Sequence, residues 1–235
     1  MINRLPIFVR ALTLLAIFSI GSNTARGGII NGDFSTALTD PAAGWATTFG
    51  LEPPVTESEQ AKFVIDSFSD NLVQLEQEFL LPAGATSLSF DYQFLTESGG
   101  FFDPFFGAPP FDIFQASLLD PVTLDALISI DPSDDRFFGI DADRSTFSAI
   151  EVDTPELLSN GFTRISLDVS SLASQSVLLD FLFLGEDDGL ISTVLLDNVT
   201  ITTASTVVPE PGALAVWVLF SVTTMGGATR RRRRL

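Results

Sequence analysis

The sequence predicts an all-β protein, an antiparallel jelly-roll-type β-sandwich. Three observations predict it: apolar residues recur with period two, turn clusters separate the alternating runs, and helix-period patterning is scarce. The first run is 63–68. In 72–80, Val73, Leu75 and Phe79 alternate with Gln74, Glu76 and Glu78. In 87–95, Leu88, Phe90, Tyr92 and Phe94 alternate with Ser87, Ser89, Asp91 and Gln93. Comparable runs occupy 111–119, 124–130, 162–169, 176–184 and 193–202. Gly, Pro, Asp and Ser clusters at 81–84, 97–100, 131–134 and 186–189 break the chain between them. Eight or nine short strands in about 180 residues suit two packed sheets. Segments 154–159 and 169–173 are each expected to form one helical turn, and no internal repeat is found.

The two ends of the chain read as addresses. Arg4 and Arg10 precede an uninterrupted apolar run of ten residues, 11–20. As helix it would cover ~15 Å, half of a bilayer core, which suits a secretory signal and not an anchor. Ala25 and Gly27 are small residues at the −3 and −1 positions of a cleavage site after Gly27, so residues 1–27 are expected to be removed. A buried core helix is the plain alternative. The expected domain is 28–205, followed by a C-terminal signal at 206–235. There Val208, Pro209, Glu210 and Pro211 precede an apolar segment, 212–228, and then Arg230, Arg231, Arg232, Arg233 and Arg234. A 17-residue helix spans ~25 Å against a core of ~30 Å, close enough for flanking arginines to snorkel. The arginines would stay cytoplasmic and leave the rest of the chain outside.

This tripartite tail, covering the last 28 residues, resembles the PEP-CTERM sorting signal of Gram-negative bacteria. The resemblance implies recognition by a membrane-embedded exosortase and cleavage near the Pro-Glu-Pro motif. Delivery to the cell surface or extracellular polysaccharide matrix would follow. It makes Pro209, Glu210 and Pro211 the recognition residues, 212–228 the membrane segment and Arg230 to Arg234 the stop. A permanent single-pass anchor would share the topology and keep the tail.

Two motifs at the ends of the domain carry a second resemblance. Residues 30–34 (Ile-Asn-Gly-Asp-Phe) are followed by Gly44 and Trp45, and 195–201 read Leu-Leu-Asp-Asn-Val-Thr-Ile. Together they resemble the first and last strands of galactose-binding-like and carbohydrate-binding-module jelly rolls. That implies that the two ends pair in one sheet and hold a structural calcium ion, with Asp33 and Asp197 as ligands. Ser35 stands where such openings commonly carry Glu.

Composition removes several classes of chemistry. The chain of 235 residues has no His and no Cys, so it holds no imidazole or thiolate metal site, no disulfide and no His-dependent nucleophile. Between residues 27 and 208, 29 acids face only Lys62, Arg136, Arg144 and Arg164, a net charge of −25. Such a surface repels phosphate backbones and excludes nucleic acid.

Other candidates are weighed against simple roles. Asp141, Asp143 and Ser145 begin like an EF-hand loop, but Thr146 and Val152 stand where Gly and Glu are required. Segment 99–114 carries six phenylalanines among Gly and Pro, either folded onto the core or exposed to a partner. Trp45 and Tyr92 are the domain's only Trp and Tyr, and both occupy structural positions. The expected protein is an exported, non-enzymatic surface or matrix module, structural or adhesive. Its carboxylates would meet divalent cations and, through them, acidic extracellular polysaccharide. The alternative is a carbohydrate-binding module that depends on Trp45 or Tyr92. A glycan-active enzyme using two carboxylates is the third reading.

Overall fold

The computed structural model describes residues 28–47, 53–65, 71–96, 112–185 and 191–204. The expected signal peptide, the tail from 206 onward with Pro209 to Pro211 and Arg230 to Arg234, and most of the phenylalanine-rich segment lie outside them. Among the described residues no helix is long and apolar enough to cross a membrane.

Among the described residues, twelve strands form two antiparallel sheets. Sheet I runs in the order β1 (Val55–Glu57), β2 (Gln60–Ile65), β12 (Ser192–Thr203), β4 (Ala85–Thr96), β10 (Thr163–Asp168), β9 (Glu156–Leu157). Sheet II runs β3 (Asn71–Leu80), β11 (Ser176–Gly185), β5 (Ile113–Leu119), β7 (Arg136–Asp141), β8 (Thr146–Ser148), with β6 (Ala126–Ile128) beside the end of β5. The all-β, two-sheet expectation holds, and the long alternating runs are the long strands.

The inner faces meet through aromatic rings. Phe63, Phe90, Tyr92 and Phe94 of sheet I are buried against Phe114, Phe138, Phe181 and Phe183 of sheet II. Phe90 stands edge-on to Phe181 with centroids 5.0 Å apart, and Phe94 to Phe183 at 5.7 Å. Such pairs add about 0.5–1.5 kcal/mol each beyond the area they bury. A register shift between β5 and β7 lets both Phe137 and Phe138 turn inward, and both are fully buried.

The structure corrects two local expectations. Segment 154–159 is not a helical turn: Glu156 and Leu157 pair with Arg164 and Thr163, closed by Gly161 at φ 87°. Segment 30–34 is not a strand but a set of turns, with Asn31 and Phe34 at positive φ. It reaches the last strand through one backbone bond, Val199 N–H to the Gly32 carbonyl at 2.8 Å. The expected turn at 169–173 is present as a 3-10 turn, Ser170–Leu172.

The opening motif works as a plug. Asn31 brackets Thr36, accepting from its N–H and donating to its carbonyl, both at 2.8 Å. Trp45 donates from Nε1 to the Asn31 carbonyl at 3.1 Å, and its ring lies 5.5 Å from Phe34 and 6.1 Å from Phe181. Ala46 then exchanges backbone bonds with Glu76, at 2.8 and 2.9 Å, capping the edge of β3.

Candidate functional site

The outer face of sheet II carries a polar row that register alone assembles. Glu76 on β3 stands opposite Asp180 on β11, Asp180 opposite Ser117 on β5, and Ser117 opposite Arg136 on β7. Their chain neighbours Leu75, Leu179, Phe181, Ala116 and Leu118 are fully buried inside, so period two turns the row outward. The next row adds Gln74, Leu182 and Gln115, and the row on the other side adds Glu78, Leu178 and Leu119.

The groups in this row are polar yet nearly shielded from solvent. Asp180 is 8% exposed, Glu76 6% and Ser117 5%. Gln74 Nε2 donates to Asp180 Oδ1 at 2.8 Å. Burial pushes the Asp180 carboxyl up to about 7, the Glu76 charge adds to the rise, and the Gln74 bond opposes it. The side chains of Ser117 and Gln115 find no hydrogen-bond partner among the described residues. The Ser117 hydroxyl therefore reaches the surface, where water can bond to it. At the end of the row Arg136 is held by Asp134, Nε to Oδ1 at 2.7 Å and Nη2 to Oδ2 at 2.6 Å. Its guanidinium lies 5.9 Å from the centroid of the half-exposed Phe147 ring. Acceptors, amides, a hydroxyl and the aliphatic faces of Leu178 and Leu182 together suit a polyhydroxylated ring.

The motif residues lie elsewhere. On the outer face of sheet I, Asp91 is buried under a bidentate bond from Arg164, Nε to Oδ1 at 2.7 Å and Nη2 to Oδ2 at 2.8 Å. Asn198 Nδ2 adds a third bond at 3.1 Å. Asp197 stands opposite Asp91, where a bulge in β12 puts Asn198 at φ 51°. Burial raises the Asp197 carboxyl, and the charges of Asp91, Asp33 and Glu59 raise it further. Asp33 and Asp197 are therefore electrostatic neighbours.

Each of the two already holds a local bond. Asp33 Oδ1 receives the Ser35 hydroxyl at 3.0 Å, and Asp197 Oδ1 receives the Asn198 N–H at 2.7 Å. Asp91 is taken by Arg164, and among the described residues no group of three acids converges on a metal position. Calcium takes six to eight oxygens, so Asp33 and Asp197 would need carbonyl or water oxygens to complete a shell.

Trp45 is buried with its N–H bonded, and Tyr92 faces inward among Phe114 and Phe138. Neither ring offers a surface to a sugar. Asp141 and Asp143 close the β7–β8 hairpin by accepting from the Ser145 N–H at 2.9 and 2.7 Å. Burial, with the neighbouring Asp143 carboxylate, lifts Asp141 to about 6. Phe114, the last ring of the phenylalanine-rich segment, is in the core.

Sequence reasoning missed Asp180, although one signal for it was present. It is the sole charged residue of β11, a strand otherwise built of Leu, Val, Phe, Ser and Gly. An acid at the centre of so apolar a strand either has a partner or performs a task.

No family model matches the chain, and no curated protein matches it. Among solved structures the chain is similar to a CBM4 domain, at 16% identity and TM-score 0.40, covering 75% of this chain and 99% of that one. It is similar also to the K3 adhesin domain of Lys-gingipain from Porphyromonas gingivalis, at 13% identity and TM-score 0.42, covering 75% and 99%. A third is CBM28, a carbohydrate-binding module specific for non-crystalline cellulose, at 13% identity and TM-score 0.38, covering 76% and 99%.

Proposed function

We propose that this protein is an exported, non-catalytic jelly-roll module that binds glycan on the outer face of sheet II. The C-terminal signal would deliver it to the cell surface or matrix, where glycan binding makes it adhesive. The observation that carries the reading is the polar row Gln74, Glu76, Asp180, Ser117 and Gln115 on the outer face, in which the Ser117 and Gln115 side chains have no hydrogen-bond partner among the described residues. Polar groups at a surface that bond only to water can exchange that water for the hydroxyls of a ligand.

The test is binding of the full-length protein to a panel of immobilised polysaccharides, repeated with Ser117→Ala and Gln115→Ala. Each variant is expected to weaken binding about five- to tenfold, the worth of one to two hydrogen bonds, with the melting temperature unchanged. Full binding by both variants would remove the site from this face.

One observation favours a second reading, hydrolysis. Glu76 and Asp180 are directly opposed acids, a residue pair that retaining glycosidases use. Release of reducing ends from a glycan that the protein binds, lost in Glu76→Gln, would make it an enzyme. None is expected, because Gln74 already engages an Asp180 oxygen.

A further inference from the structure

The chain contains two Asn-Gly pairs, Asn31-Gly32 and Asn160-Gly161, and the fold treats them in opposite ways. In such a pair the glycine nitrogen is a nucleophile with no Cβ beside it to block its approach to the asparagine amide. Asn31 is locked against that approach. Its Oδ1 accepts from the Thr36 N–H and its Nδ2 donates to the Thr36 carbonyl, both at 2.8 Å. Gly32 is pressed against Val199, whose N–H donates to the Gly32 carbonyl at 2.8 Å. The amide carbon of Asn31 cannot swing toward the Gly32 nitrogen while the plug stays on the last strand.

Asn160 has none of these restraints. It lies with Ser159 and Gly161 in an exposed three-residue loop between β9 and β10, with Gly161 at φ 87°. The Leu158 N–H closes the loop on the Phe162 carbonyl at 2.7 Å, and the Gly161 N–H reaches the Leu158 carbonyl at a longer 3.1 Å. Residues 159–161 take no part in the core, so freeing the Gly161 nitrogen costs one exposed bond. The Phe162 N–H donates to Asn160 Oδ1 at 3.2 Å. A donor there draws electron density from the amide carbon and steadies the negative oxygen that forms on attack. Nδ2, the leaving nitrogen, is held by nothing among the described residues.

We propose that Asn160 is a site of spontaneous deamidation in the folded protein and that the fold protects Asn31. The Gly161 nitrogen bonds to Asn160 Cγ, the Cγ–Nδ2 bond breaks, and Nδ2 leaves as ammonia with the proton that Gly161 gave up. Water then opens the cyclic imide. Opening at the Cγ carbonyl gives aspartate. Opening at the main-chain carbonyl gives isoaspartate, whose backbone runs through the side chain and is longer by one methylene. That longer backbone cannot keep both bonds to Phe162, from Leu158 and to Asn160. β9 pairs with β10 only through Leu157 with Thr163 and Glu156 with Arg164, so it comes away from the edge of sheet I. The modification is a slow chemical loosening of one edge of the sandwich.

The experiment is peptide mapping by mass spectrometry on the full-length protein held at about pH 8 and about 37 °C, with isoaspartate counted by enzymatic methylation of its carboxyl. Conversion at Asn160 is expected to run at least about tenfold faster than at Asn31, a difference that unfolding in urea erases. Equal conversion of the two in the folded protein, or faster conversion of Asn31, overturns the inference. So does a difference that persists in urea, because it would then lie in the local sequence and not in the fold. The converted protein is then compared with Asn160→Asp, which carries the same charge without the extra methylene. A nonspecific protease is expected to cut the converted protein between residues 154 and 162 at least about fivefold faster. Equal resistance of the two overturns the loosening of β9.

Discussion

At the residue scale, two positions show how much one side chain decides. Gly32 has no room for a side chain: a Cβ there would run into the Val199 carbonyl and the Ile29 methyl. The plug thus rests backbone to backbone on the last strand. Gly32→Ala is expected to lower stability by about 2–4 kcal/mol, read as a fall in the denaturation midpoint. Unchanged stability would mean that the plug does not need this approach. Asp180 behaves in the opposite way. Its carboxyl is more basic in the fold than in the unfolded chain, so its ionisation opposes folding. Asp180→Asn is expected to raise stability at pH 8 by about 1–3 kcal/mol and leave it unchanged near pH 4. A loss of stability at pH 8 would show that the charge is compensated.

At the element scale, β4, β10 and β12 are joined on their outer face by one ion pair and its third partner. Arg164 on β10 forks onto Asp91 on β4, and Asn198 reaches the same carboxylate from the β12 bulge. Asp91 is buried and the Arg164 side chain is 39% exposed, so the two truncations differ. Arg164→Ala strands a buried carboxylate and is expected to cost about 2–4 kcal/mol. Asp91→Ala releases an arginine toward water and should cost less. Chemical denaturation of both variants checks the order, and the reverse order would mean that Arg164 mainly packs. The long strands were legible in the sequence because one face of each is apolar. β7 was not, because the pair Phe137 and Phe138 breaks the alternation, and only the bulge lets both turn inward. β9 is two residues long, too short to show a period. The opening motif was legible as a motif but not as a plug, since its Gly and Asn are explained by a contact with Val199 far along the chain. The candidate row was hidden for the same reason. Residues 76, 117, 136 and 180 meet only through strand register, which composition and spacing do not encode.

At the scale of the whole molecule, acids dominate, and they divide into two groups with opposite effects on stability. Asp120, Asp131 and Asp168 sit below the ordinary carboxylate value because each accepts bonds from nearby residues in its own turn. Their contribution is present above the unfolded value, near 3.8, and is lost as pH falls below it. Asp141 and Asp180 are raised by burial, to about 6 and about 7, and Asp197 is raised as well. In the fold these hold protons that the unfolded chain has already released. Stability therefore declines as pH rises from about 4 through 7. Self-repulsion works in the same direction, since each acid that ionises adds to a charge that only Lys62, Arg136, Arg144 and Arg164 offset within the domain. The melting temperature of the full-length protein is accordingly expected to peak near pH 4–5 and to fall by about 5–10 °C by pH 8. Salt should recover the part due to surface repulsion but not the part due to burial, because buried charges are screened far less. Asp180→Asn should flatten the decline between pH 5 and 8 while leaving the acid limb below pH 4 in place. A melting temperature that rises steadily from pH 4 to 8 would show that the buried acids are neutralised by partners in solution.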